Sequence, residues 1–191
     1  MRLIVEATLV LALAAPAAPA PAADGKVSLA GLEVDATAHD LYVSFTVDGA
    51  FTPEVREAID SGLPVTFRHD VEVVRRRTLW FDRTLVRKAV TTTVTYDTLT
   101  HQYSLARSIN DEVTETKVAI NEADMMRWMT RLERIRVADP AGLEVEPGDT
   151  VYVRAKSLLQ RRFILFFIPS STGTDWEKVG VSLHDGTAHD R

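Results

Sequence analysis

Apolar and polar positions alternate along most of this chain. Leu32, Val34 and Ala36 share one parity, as do Leu41, Val43, Phe45 and Val47. Alternation of this kind places residues on one face of a β-strand. The polar link at residues 37–40 predicts an antiparallel hairpin pairing Val34 with Val43 and Leu32 with Phe45. Val65, Phe67, His69, Val71 and Val73 continue the pattern. After a break at residues 81–84, the Thr-rich stretch 90–96 and the stretch 102–108 predict a second hairpin. A turn centred on Leu99 and Thr100 sets Val94 against Leu105 and Tyr96 against Tyr103. Thr91, Thr93, Thr95, Gln102, Ser104 and Ala106 then form the polar face of a half-buried sheet. Further strands are expected at residues 151–159, 163–168 and 176–183.

Helical spacing interrupts the strands twice. Thr52 is a suitable N-cap, Pro53 a first helical residue, and Glu54 and Glu57 suit the positive end of the dipole. Val55, Ala58 and Ile59 make the buried stripe, and Gly62 stops the helix. The second helix is capped by Asn121, with Met125, Trp128, Met129 and Leu132 at helical spacing and Arg127, Arg131 and Arg134 away from much of that stripe. Many strands with two helical excursions predict a mainly β fold. The expected architecture is an antiparallel β-sandwich of roughly seven strands, immunoglobulin-like in general form, with two short helical insertions. A single curved sheet wrapped on the second helix is the competing arrangement.

The first residues depart from this pattern. Arg2, the apolar run at residues 3–15 and small residues at Ala20 and Ala22 read as a signal peptide over residues 1–22. The run is shorter than the about 20 residues a membrane span needs. A periplasmic or otherwise exported location follows as the expectation, with one β-rich domain over residues 23–183 and a disordered tail over residues 184–191. The net charge is −5 and there is no cysteine. An acidic chain has no bulk attraction for nucleic acid. The missing cysteine excludes a lipoprotein anchor, a thiol nucleophile and disulfide staples. No apolar run beyond the signal is long enough for a transmembrane segment.

The segments SGLPVTF (residues 61–67), RRRTLWFDR (residues 75–83) and TYDTLTHQY (residues 95–103) carry a resemblance. Together they resemble a family of small exported bacterial proteins of unknown function. The likeness is strongest over residues 41–132 and weakens after Leu158. The resemblance implies an envelope setting and an association with membrane sensor kinases. It implies no catalytic residue.

Four of the five histidines precede an aspartate, at His39, His69, His184 and His189. Adjacent residues of a strand point to opposite faces, so His69 and Asp70 cannot share an ion there. His69 is read as a core histidine with a hydrogen-bonded partner, and no metal or other cofactor is expected. G-x-S-x-G and H-E-x-x-H are absent, which leaves nucleophilic and zinc-hydrolase chemistry without support.

The basic cluster is the stronger signal. Arg75, Arg77, Arg87 and Lys88, with Trp80 as an aromatic anchor, form a candidate docking ridge for an envelope protein or a membrane-surface partner. A turn at residues 81–84 would set Arg77 opposite Lys88, a repulsive pair unless a carboxylate such as Glu72 or Asp82 lies between them. A solvated, charge-protected edge is the plainer alternative. Met125, Trp128 and Met129 could line an apolar pocket, or simply pack on the sheet. The favoured reading is an exported, non-enzymatic accessory or interaction domain of the bacterial envelope. The alternatives are a carrier for an apolar molecule, with a cavity of at least about 300 Å3 beneath the second helix, and an envelope hydrolase. The hydrolase needs at least two of His39, His69 and His101 to converge with carboxylates.

Overall fold

The computed structural model describes residues 26–77, 81–146, 148–160 and 172–181. The expected signal peptide, Trp80, the expected strand at residues 163–168, His184, His189 and the expected tail lie outside the described residues. Two antiparallel sheets face each other. The smaller has the order β1 (Ser28–Ala36), β2 (Leu41–Asp48) and β7 (Arg131–Ala138). The larger runs β10 (Glu177–Val181), β8 (Val151–Gln160), β3 (Val65–Arg75), β4 (Arg83–Asp97), β5 (Gln102–Ile109) and β6 (Glu112–Ala119), with the two-residue β9 (Thr172–Gly173) pairing on β8. This is the mainly β, two-sheet arrangement that the alternation predicts.

The β1–β2 turn closes through Thr37, whose hydroxyl accepts from the Asp40 amide at 3.0 Å. Val34 opposes Val43 as expected. Leu32 does not pair with Phe45 one to one, because a bulge after Ala30 sets Gly31 and Leu32 together against Phe45, with Gly31 at a φ of +63°. Helix α1 (Pro53–Asp60) starts at the Thr52 cap and ends where Leu63 N–H reaches the Ala58 carbonyl and Gly62 N–H that of Ile59. That double bond is a Schellman ending, and Gly62, at φ +75°, supplies its left-handed residue. Val94 opposes Leu105 and Tyr96 opposes Tyr103 in the β4–β5 hairpin, also as expected.

Two strands replace what the periodicity suggests. Helix α2 (Glu122–Thr130) is shorter than its stripe implies. Leu132 belongs to β7, where it opposes Phe45 and is fully buried. The β-branched residues Ile135 and Val137 carry the chain onward as a strand. Strand β6 follows a two-residue turn at Asn110 and Asp111, both at positive φ, the type I′ geometry that suits a hairpin.

The core fills the space between the sheets. Leu41, Val43 and Phe45 from β2 share one buried cluster with Phe67, Val71 and Val73 from β3 and with Met125 and Met129 from α2. Into this apolar layer the sheet sends one imidazole. His69 is fully buried, edge-on to Phe45 at 5.7 Å between ring centroids. Its Nδ1 lies 2.8 Å from Ser157 Oγ, and its Nε2 lies 3.5 Å from Thr92 Oγ1. Thr92 donates its only hydroxyl proton to the Met129 carbonyl at 3.2 Å. The Thr92 oxygen can therefore only accept from the ring, which assigns the proton to Nε2 and leaves Nδ1 to accept from Ser157.

Burial, with a smaller contribution from the Arg107 charge, lowers the His69 pKa to about 3. An unfolded histidine protonates near 6.5. Between those values the unfolded chain binds more protons, so stability falls as the pH falls. We expect urea unfolding to show a loss whose slope rises from about 0.7 kcal/mol per pH unit at 6.5 toward about 1.4 near pH 5, above the carboxylate range. His69→Gln should flatten that window, whatever its absolute stability. An unchanged slope in the variant would show that another group titrates there.

Candidate functional site

Strands β3, β4 and β8 turn their alternate residues away from the core, and these outward positions carry the charge. Glu72 on β3 opposes Arg87 on β4 and Arg154 on β8. Its side chain is only 3% exposed. One carboxylate oxygen accepts from Arg87 Nε at 2.7 Å. The other accepts from Arg154 Nε at 2.8 Å and from its terminal nitrogen at 2.6 Å. Burial raises the Glu72 pKa, but the bonds from Arg154 and Arg87 together outweigh it and hold the carboxyl below its ordinary value. The group is therefore ionised at neutral pH, and two guanidinium groups compensate one carboxylate.

Around this centre the face is basic and aromatic. Asp70 accepts from Arg68 at 3.0 Å and lies 3.7 Å from Lys156 Nζ. The Trp176 ring carries the Arg154 guanidinium at 4.5 Å and the Lys156 ammonium at 4.7 Å. Lys178 on β10 directly opposes Arg154 and lies 5.5 Å from the Tyr152 ring centroid. Tyr152 in turn donates its hydroxyl to Asp82 at 2.7 Å, and that bond is the main cause lowering the Asp82 pKa. Arg68, Arg87, Arg154, Lys156 and Lys178 thus surround Asp70 and Glu72, an excess of three positive charges on a chain of net charge −5.

The structure redistributes the ridge read from the sequence. Strand β3 ends at Arg75, so Arg77 does not oppose Lys88; Lys88 opposes Val71 instead. The turn lies earlier than expected, and Arg77 belongs to the connection, where its amide donates to Asp82 at 3.3 Å. Arg87 and Lys88 are neighbours on one strand and point to opposite faces. Arg75 does oppose a like charge, Arg83, and the β7–β8 connection separates the two. Asp149 pairs with Arg75 at 3.1 Å, and Glu144 pairs with Arg83 at 2.7 Å. Of the predicted ridge residues that are described, Arg87 alone joins the basic face around Glu72. Arg68, Arg154, Lys156, Lys178 and Trp176 were missed. The available signal was the alternation of Tyr152, Arg154 and Lys156 with the inward Val151, Val153 and Ala155.

The other candidates fall elsewhere. Met125 and Met129 are core residues, 1% and 0% exposed. Trp128 stacks under Arg107 at 4.4 Å and donates its indole N–H to Glu115 at 3.2 Å. A shallow groove of about 430 Å3 lies over β4, β5 and β6 on the outer side, lined by Thr93, Thr95, Ser104, Ala106, Thr116 and Val118. His69 sits in the core, His101 beside Tyr96 at the β4–β5 turn, and His39 in the β1–β2 turn. Among the described residues, no group of three or more metal-ligating side chains converges.

A two-sheet antiparallel domain with one basic, aromatic outer face is thus the class of molecule the geometry defines. The chain belongs to the family described as a domain of unknown function, DUF4390, whose model matches residues 25–162. No curated protein and no solved structure matches it.

Glu72 organises the site, and its removal is diagnostic. Glu72→Gln leaves Arg87 and Arg154 facing each other without a countercharge. We expect a loss of about 2 kcal/mol in urea unfolding at neutral pH, less than for a fully enclosed pair because Arg87 reaches solvent. A change below about 0.5 kcal/mol would show that the carboxylate does not hold the face together.

Proposed function

We propose that this chain is an exported, non-enzymatic interaction domain of the bacterial cell envelope, and that the basic outer face of its larger sheet docks an acidic partner. The observation that carries the reading is the surplus of cations around Glu72 and Asp70. Lys178 opposes Arg154 directly, and the one anion beside that pair, Glu72, is already shared between Arg154 and Arg87, so the cations of this face outnumber their countercharges. Trp176 carries two cations over its ring and supplies the aromatic surface that interfaces favour. Export is supported by the N-terminal pattern at residues 1–22. No helix among the described residues is long and apolar enough to cross a membrane. Exposed charges of this kind steer encounter more than they add affinity, so capture should weaken as salt rises.

The test is cross-linking in envelope fractions of the source cell, with the captured species identified by mass spectrometry. Lys156→Gln combined with Lys178→Gln removes two charges and leaves the Glu72–Arg87–Arg154 cluster intact. The variant should lose about 10-fold in capture of an acidic protein, with its melting temperature within a few degrees of the parent. Equal capture by the variant, or capture insensitive to salt, rejects this face as the docking surface.

A further inference from the structure

Among the described residues, strand β6 is one edge of the larger sheet and pairs only with β5. Every residue of β6 except Ala119 is exposed. Val113 is 60% exposed, Val118 57%, and Ile120, just beyond the strand, 76%. Such an edge presents unpaired backbone donors and acceptors to any complementary strand. Its charges restrict which strand that can be. Glu115 and Lys117 lie two residues apart on the same face, opposite Arg107 and Leu105 of β5. Lys117 has no ion pair among the described residues, whereas Glu115 holds Arg107 at 2.8 Å and keeps 46% of its side chain exposed.

We propose that β6 pairs antiparallel with β6 of a second copy, about a twofold axis through Thr116. In that register Glu115 meets the second copy's Lys117, and Lys117 meets its Glu115, so both charges are matched by symmetry. Directly opposed residues of an antiparallel pair share a face, which keeps both ion pairs on the side where Glu115 already holds Arg107. Each of the three groups then joins one ladder of alternating sign, Arg107, Glu115 and the second Lys117. On the outer side Thr116 meets Thr116, and Thr114 meets Val118, so the shallow groove of each copy runs into that of the other. Lys117 acts in two ways here. It repels strands that lack a countercharge, as edge lysines do, and it selects the one strand that carries Glu two residues earlier. A bulge at Thr114 confines the flat pairing to the middle of the strand.

The absence of cysteine from the chain makes the register directly testable. In the proposed pair the two Thr116 Cα atoms lie about 4.5–5.5 Å apart, within disulfide reach. Thr116→Cys should therefore oxidise to a covalent dimer, and Val118→Cys, whose opposite number is Thr114, should do so far less. Light scattering on the cysteine-free chain should give a concentration-dependent dimer, and Lys117→Glu should raise its dissociation constant about 10-fold. Dimer in solution with preferential cross-linking at position 116 establishes the pairing. A monomer up to millimolar concentration overturns it. So does a dimer that cross-links equally at both positions or is indifferent to Lys117→Glu. Far-ultraviolet circular dichroism on each variant separates these outcomes from misfolding.

Discussion

A buried carboxylate cannot stand alone, and Glu72 has been given two arginines from two different strands. Removing the charge from water costs several kcal/mol, and only several charge-assisted hydrogen bonds offset that. Arg87 and Arg154 supply those bonds from either side, so one side chain joins β8, β3 and β4 across the middle of the larger sheet. The same arrangement creates the surface character of the domain. One anion balanced by two cations leaves a positive excess, and Lys156 and Lys178 add to it. The basic face is thus a direct consequence of how this carboxylate is kept buried and ionised.

The inner face of β3 obeys the same logic with a neutral group. His69 reaches Ser157 on β8 and Thr92 on β4, so the two strands gripped outside by Glu72 are also gripped inside by an imidazole. Side chains alternate along a strand with a period of two. Slipping β3 by one residue would carry the imidazole out and a charged neighbour into the apolar layer. Two polar residues three apart therefore fix one register from both sides. The inner one remains uncharged because the Phe45 ring and the aliphatic core offer no countercharge. The outer one is charged because both flanking strands offer one.

Much of the fold was legible because burial writes itself into alternation. The β1–β2 and β4–β5 pairings follow from Val34, Val43, Val94 and Leu105, each buried or partly buried on one face only. Helix α1 was legible from its cap, its proline and its glycine. Strand β6 was not, because both its faces are exposed and EVTETKVA has no apolar stripe to betray it. Strand β7 was hidden because Leu132 sits at a helical interval from Met125 and Met129, and the change of period falls between them. The site was half legible for a related reason. A local run of arginines stands out in a sequence, and the structure breaks that run between a connection, two faces and an acidic loop. The cations that do come together, Arg87, Arg154 and Lys156, are brought together by pairing between strands distant in the chain. No local pattern marks them except an alternation whose polar half is charged.

The proposed self-pairing at β6 and the proposed partner docking on β8 and β3 would use different parts of one sheet, and their geometry makes them compatible. Adjacent strands lie about 4.8 Å apart, so the Arg154 position on β8 is roughly 20 Å from the β6 edge. A twofold axis perpendicular to the sheet keeps both outer faces on the same side of the joined structure. The paired sheet would then present two basic faces on one surface, each displaced about 20 Å along the strands from the axis as well as across them, with their centres on the order of 55 Å apart before twist is considered. Between them lies the shallow, hydroxyl-rich lining of the two grooves, Thr93, Ser104, Ala106 and Thr116 among it, which offers little obstruction to a broad partner. A partner with a single acidic site gains nothing from this arrangement. A partner that is itself paired, or repeats its acidic site at a matching interval, binds the second face at a high effective concentration once it holds the first. Weak, salt-sensitive contacts at each face then suffice for selective capture, which is the regime that exposed lysines and arginines around a buried carboxylate supply.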